Sequence, residues 1–121
     1  MGRIIHFEIP ATDPERITDF YSSVFGWEIQ KWGHEDYWLA TTGPDDVPGI
    51  NGAIMKRRDL QQPLVVSINV TDIDKAMEDI EKAGGQIVVP KVSIPTMGWS
   101  AYFKDPDGVI MGLFQEELEA V

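Results

Sequence analysis

The sequence predicts an α+β fold made of two tandem βαβββ modules, and three observations support this prediction. The two halves of the chain align at a spacing of 59 residues, which brings Thr12-Asp13 onto Thr71-Asp72. Each half has one apolar stripe of helical period, with a capping residue before it and glycine after it. Three strand-like runs separated by Gly and Pro follow each stripe. Two such modules side by side would form a curved mixed sheet around a cleft.

The first strand is predicted over residues 3–9, where side chains alternate between two faces. One face is uniformly apolar and should pack on the helix. The other face carries Ile4, His6 and Glu8, and it should line the cleft. Because burying a His and a Glu without partners costs free energy, we expect a polar partner there: water, ligand, metal or another side chain.

The first helix should begin after Asp13, whose carboxylate can accept from the first-turn N–H groups, with Pro14 at the first helical position. Gly26 should end it. Its apolar face consists of Ile17, Phe20, Tyr21 and Val24. Strands are predicted near 27–32, 36–42 and 50–57, with His34-Glu35 in a solvated turn between the first two.

The second module repeats this pattern, with a strand over residues 64–70 and a helix capped by Asp72 and ended by Gly84-Gly85. The helical stripe consists of Ile73, Ala76, Met77, Ile80 and Ala83. Strands are predicted near 86–93, 98–104 and 109–114. We expect a single domain over residues 1–121, with module one at about 3–58, module two at about 63–115, and a short tail at 116–121.

Composition excludes several classes of function. The formal charge is −10, so nucleic acid would be repelled by most of the surface. No apolar run approaches the length of a membrane span, and the N-terminus lacks the apolar stretch of a signal peptide. Cysteine is absent, which excludes disulfides and thiolate metal sites and fits a cytoplasmic location.

The repeat, together with "DPER…FY…FGW" near the start and "GW…AYFKDPDG…GLFQ" near the end, resembles the vicinal oxygen chelate (VOC) superfamily over roughly residues 3–115. Its members include glyoxalase I, extradiol dioxygenases and bleomycin-resistance proteins. The resemblance implies a small-molecule ligand and a homodimer, with the cleft lying within one chain or shared between two. It does not identify the substrate, since this fold hosts many chemistries.

The resemblance also implies where metal ligands would lie, on the first and last strands of each module. His6 matches the first such position, but Val65 and Gly112 match two others and cannot bind a metal. In the last strand of module one, Asn51 is the one plausible donor. A divalent metal usually needs three or more protein ligands, so we expect no cofactor. The alternative is a Zn, Ni, Mn or Fe site in which His6 and Glu8 bind together.

The remaining candidates are ligand-binding residues. Gly112 in place of a glutamate should open space beside Phe114, with Trp99 at the rim of the cleft, which suits a flat ligand held by stacking. Val65, His6, Glu8 and Asn69 should face the same cleft, and Asn69 and Gln115 could supply weak oxygen ligands. Glu8 is the candidate catalytic base. Each residue also has a purely structural interpretation, in which His6 bonds to Glu8 and aromatic side chains fill the space.

Three hypotheses of function follow. The first is a metal-free protein that binds and sequesters a small molecule. The second is a metal-dependent lyase, isomerase or dioxygenase of the glyoxalase type that uses His6 with non-standard ligands. The third is a non-catalytic interaction subunit. Whether the chain is an enzyme stays open at this point, because most metal ligands are missing.

Overall fold

The computed structural model describes residues 2–117, which pack into two compact units. We call residues 5–65 the first module, and residues 66–117 together with 2–4 the second module. The predicted tail over 116–121 lies outside the described residues except for its first two positions.

The order of elements is strand–helix–strand–strand–strand, twice, which confirms the predicted α+β fold of tandem βαβββ modules. The first half contains β1 (Arg3–Ala11), α1 (Pro14–Phe25), β2 (Glu28–Lys31), β3 (Tyr37–Thr41) and β4 (Asn51–Lys56). The second half contains β5 (Val65–Asn69), α2 (Ile73–Lys82), β6 (Gln86–Ile94), β7 (Gly98–Lys104) and β8 (Ile110–Glu116).

The two modules share one strand order, β2-β3-β4-β1 in the first and β6-β7-β8-β5 in the second. The first and last strands of each module are parallel, and the other neighbours are antiparallel. Glu8 pairs with Ala53, and Ser67 pairs with Gly112. Both residues of one pair lie 59 positions from those of the other, so the register confirms the repeat for these strands.

The spacing of 59 residues does not hold for the third strands, β3 and β7. Tyr37 pairs with Met55, and Ser100 pairs with Phe114, so Tyr37 corresponds to Ser100 at a spacing of 63 residues. The difference arises because β6 has nine residues where β2 has four, and because its pairing with β7 is irregular.

Both helices begin where the capping residues predict. The Asp13 carboxylate accepts from the Arg16 N–H at 3.3 Å, and the Asp72 carboxylate accepts from the Lys75 N–H at 3.1 Å. Gly26 closes α1 in the left-handed conformation, with φ of 73°.

In the second module most of the predicted helical stripe faces the core: Ile73 is buried, Ala76, Met77 and Ile80 are half-buried, and Ala83 is exposed. Ile73 packs with Leu113, Ala101 and Phe103, and Met77 lies against this cluster. The cluster forms the core between α2 and one face of the sheet.

The apolar stripe of α1 is only partly buried. Tyr21 stacks on Trp27 with ring centroids 4.6 Å apart, whereas Phe20 and Val24 are 51% and 57% exposed. Neighbouring residues of a helix point about 100° apart. The side of α1 that carries Tyr21 therefore turns inward, and the side that carries Phe20 turns to solvent.

The segment between β2 and β3 confirms the turn prediction, since His34 and Glu35 are both exposed there. No helix within residues 2–117 has the length and apolar character needed to cross a membrane.

Candidate functional site

The strand β1 presents two chemically different faces, as its alternation predicts. Phe7 contacts the Trp27 ring at a centroid distance of 5.6 Å, and Ile9 pairs with the fully buried Ile54. The opposite face carries His6, which is half-buried, and Glu8, which is 9% exposed. A carboxylate this buried needs hydrogen-bond partners.

Tyr37 joins these two side chains. Its hydroxyl donates to Glu8 Oε2 at 2.8 Å, and the same oxygen lies 2.8 Å from His6 Nε2. The phenol has one proton and gives it to the carboxylate, so Nε2 of His6 must carry the proton of the other bond. The protons therefore run in one direction, from His6 to Tyr37 to Glu8. We call these three residues the His6–Tyr37–Glu8 network.

The network depends on a small residue in the strand between its members. β4 separates β1 from β3, and its fully buried Ala53 pairs with Glu8 on one side and Leu39 on the other. Tyr37 lies two residues before Leu39, hence on the same face. Because the Ala53 side chain is only a methyl group, the Tyr37 ring can extend across β4 to reach β1.

Burial sets the charge state of the imidazole. It lowers the pKa of His6 from the ordinary value of 6.5, and the nearby Glu8 carboxylate offsets this only in part. His6 is thus neutral at pH 7, with the proton on Nε2 and a lone pair on Nδ1.

The residues present do not fit a divalent metal at His6. Among residues 2–117, no group of three or more His, Asp or Glu side chains is placed to hold a metal ion. Nε2 of His6 donates to Tyr37. The Asn51 amide oxygen, the other expected donor to a metal, already accepts a hydrogen bond from the Thr42 N–H at 2.9 Å. In the strand register, the position matching Gly112 is Ala53, which has no donor either.

The equivalent positions on β5 and β8 are apolar or filled. Val65, which matches His6, is buried. A Cβ atom on Gly112 would lie 2.6 Å from Ser67 Oγ. The space beside Gly112 is therefore occupied by Ser67, contrary to the expectation that the glycine opens it.

Asn69 and Phe114 pair across β5 and β8, on the same sheet face as Ser67 and Gly112. This agrees with the shared face expected for Phe114 and Gly112. Gln115 lies on the other face, where its side-chain oxygen accepts from the Ile73 N–H at 2.8 Å and caps α2.

The prediction for Trp99 is wrong in its placement. Trp99 lies on the α2 side of the sheet, packed against the buried cluster that contains Leu113, rather than at the rim of the other face. The Lys91 ammonium lies 4.7 Å from its ring centroid, and its indole N–H donates to Glu117. These contacts account for the residue structurally.

A separate cavity of about 150 Å³ lies in the loop between β3 and β4. Thr42 and Asn51 close this loop, and Asp45 and Pro48 line the cavity. Small-molecule sites usually measure about 300–1,000 Å³. This loop cavity falls below that range.

Comparisons with known proteins agree with this architecture. A family model described as the Glyoxalase/Bleomycin resistance protein/Dioxygenase superfamily matches residues 3–112. A glyoxylase-like domain-containing protein of Didymella fabae is 31% identical over 113 residues, with 88% of each chain covered. CFP32 of Mycobacterium bovis, whose name marks it as a candidate glyoxylase, is 27% identical over 118 residues. That match covers 89% of this chain but 43% of CFP32, so the chain spans less than half of that protein.

A solved structure shows the same fold. Methylmalonyl-CoA epimerase from Mycobacterium tuberculosis superposes with a TM-score of 0.67, covering 94% of this chain and 87% of the epimerase. The two sequences are 13% identical, so the likeness is one of fold alone.

Proposed function

The chain belongs to the glyoxalase/bleomycin resistance protein/dioxygenase superfamily, and on this premise we propose that it binds a small molecule at the polar face of its first module without a metal ion. The observation that carries the proposal is the His6–Tyr37–Glu8 network. Nε2 of His6 donates a hydrogen bond to a phenol, which leaves Nδ1 as its one possible metal donor. At the other expected ligand positions, Val65 and Gly112 have no donor atom and the Asn51 amide oxygen already accepts a hydrogen bond.

The surroundings of the network suit a ligand. Sites for small molecules combine a few convergent polar groups with aromatic surface. Here the imidazole, phenol and carboxylate converge, and the Trp32 ring lies edge-on to Tyr37 with centroids 6.2 Å apart. Trp32 is 38% exposed, so part of its surface is accessible to a bound molecule.

The test is a fragment screen by thermal shift, with and without EDTA, on protein purified in the absence of chelator. We expect fragments that raise the melting temperature equally in both conditions, and a metal content well below stoichiometric. The His6→Ala and Tyr37→Phe variants should lose most of the shift. His34→Ala, which alters the exposed histidine of the β2–β3 turn, is the matched control and should keep it.

Two results would contradict the proposal in different ways. Stoichiometric Zn, Ni, Mn or Fe that disappears in His6→Ala would favour the metal-dependent lyase or dioxygenase. A screen in which no fragment stabilises the protein would favour the interaction subunit.

A further inference from the structure

The two helices differ on the side that faces solvent. On α2, Lys75 and Asp79 are exposed and form an ion pair, with Nζ and Oδ1 2.8 Å apart. Both helices begin one residue after their capping aspartate, so the spacing of 59 residues relates them residue by residue. By this match, Arg16 of α1 occupies the position of Lys75, but Phe20 occupies the position of Asp79.

The solvent side of α1 is therefore apolar where that of α2 is charged. Arg16, Phe20, Ser23 and Val24 lie three or four residues apart, which places them along one side of the helix, and we call them the outer face of α1. Phe20 and Val24 are 51% and 57% exposed. Arg16 is exposed as well, and within residues 2–117 its guanidinium forms no ion pair.

The C-terminal end of α1 also differs from that of α2. A helix carries partial negative charge at this end, which a basic side chain in the last turn stabilises. α2 has Lys82 there, whereas α1 has no basic residue in its last turn and carries Ser23 at the matching position. Thus α1 has a cation without an ion pair in its first turn and a helix end without a cation in its last turn.

From these differences we infer that the outer face of α1 is a self-association surface, on which the α1 helices of two copies of the chain pack antiparallel about a two-fold axis near Phe20. This pairing removes the Phe20 and Val24 side chains of both copies from water. It also brings Arg16 of each copy beside the last turn of the other helix, where a positive charge is favourable. A parallel pairing would place Arg16 beside Arg16 instead.

The charge of the chain favours a second copy at this surface. Each copy has a formal charge of −10, so two copies repel each other wherever acidic residues meet. Residues 20–27 contain no charged side chain, so repulsion opposes contact least there. The inference goes beyond the proposed function and is independent of it, because α1 packs through Tyr21 and Trp27 on the Phe7 face of β1, opposite the His6–Tyr37–Glu8 network.

The first test replaces one exposed apolar side chain by aspartate in each of two variants. Phe20→Asp changes the outer face of α1, and the control Leu60→Asp changes a residue that is 82% exposed in the loop after β4. Sedimentation over a range of protein concentrations, at physiological ionic strength, gives the dissociation constant of the dimer. We expect Phe20→Asp to raise this constant at least about tenfold, because the change occurs in both copies, and Leu60→Asp to leave it nearly unchanged.

The second test examines the antiparallel direction. The pairing places the Arg16 guanidinium of one copy near position 23 of the other. Ser23→Glu should therefore tighten the dimer and Ser23→Lys should weaken it, each by about threefold or more because the contact occurs twice. Net charge alone predicts the opposite order, since glutamate adds to the formal charge of −10 and lysine reduces it.

The outcomes that would overturn the inference are distinct. They are a chain that stays monomeric at every concentration, a Phe20→Asp dimer as tight as the wild type, an equal loss in Leu60→Asp, and the opposite order of the two Ser23 variants. Circular dichroism of each variant verifies that it folds. If Phe20→Asp does not fold, the two Ser23 variants decide.

Discussion

The direction of the hydrogen bonds at Tyr37 determines what His6 can do. The phenol donates to Glu8, so the imidazole must donate to the phenol. A neutral histidine that donates through Nε2 can accept only through Nδ1. At the scale of single residues, His6 thus donates within the network, Tyr37 accepts from His6 and donates to Glu8, and Glu8 accepts.

The lowered pKa of His6 makes stability depend on pH. Burial is the main cause, and it places the folded-state pKa below the ordinary value of 6.5. Between these two values the unfolded chain binds more protons than the folded chain. The contribution of His6 to the free energy of unfolding is therefore fully present above pH 6.5. It decreases as the pH drops toward the folded-state pKa. We expect NMR titration of His6, in a His34→Gln background, to give a midpoint below 6.5.

The matched measurement is denaturant unfolding at several pH values for the wild-type protein and for His6→Gln, whose amide can still donate to Tyr37. The wild-type protein should lose more stability than the variant as the pH falls below 6.5. Equal losses, or a His6 midpoint above 6.5, would show that the imidazole is not desolvated as the structure indicates.

Glycines in two strands of the sheet illustrate how the elements constrain each other. A Cβ atom on Gly52 of β4 would lie 2.5 Å from the Phe7 carbonyl oxygen, in the strand that pairs with β4. A Cβ atom on Gly112 of β8 would lie 2.6 Å from Ser67 Oγ. The first obstacle is backbone held by strand pairing, whereas the second is a hydroxyl that can rotate.

We therefore expect Gly52→Ala to destabilise the protein by about 1–3 kcal/mol or more, as overpacking does, and Gly112→Ala to cost less. Chemical denaturation of the two variants measures the difference. Adding Ser67→Ala to Gly112→Ala should recover the lost stability, because it removes the obstructing hydroxyl. Equal costs for the two glycines, or no recovery in the double variant, would contradict this account of the packing.

The elements themselves could be predicted from sequence, because local physics determines them. Asp13 and Asp72 cap their helices, and alternation along β1 separates His6 from Phe7. Tyr37 could not be assigned to the site in this way. Its position above Ala53 depends on the pairing of β3 with β4, which the loops set and no short pattern encodes.

The misplacement of Trp99 has a related cause. The longer β6 and its irregular pairing with β7 shift the third strand by comparison with the first module.

One feature of the sequence could have pointed to Tyr37. Ala53 is a small residue in β4, the strand that pairs with the Tyr37 strand β3, and its methyl group leaves room for a neighbouring ring.

At the scale of the whole molecule, one topology carries two different faces. β1 holds His6 and Glu8, whereas the matching positions of β5 hold Val65 and Ser67. The repeat preserves strand order and pairing, while the polar network occurs in the first module only. The strand topology is therefore duplicated, but the His6–Tyr37–Glu8 network is not.

The formal charge of −10 bears on the expected homodimer. Two copies of an acidic chain repel each other, and salt screens that repulsion over a Debye length of about 10 Å at 0.1 M ionic strength. We expect light scattering to give twice the chain mass of 13.6 kDa at physiological ionic strength, and the dimer to weaken as salt is removed. A mass of one chain at every salt concentration would refute the dimer. If the dimer instead weakens as salt is added, attraction between opposite charges holds the two copies together. The expected interface, in which apolar contacts overcome the repulsion between two acidic chains, would then be wrong.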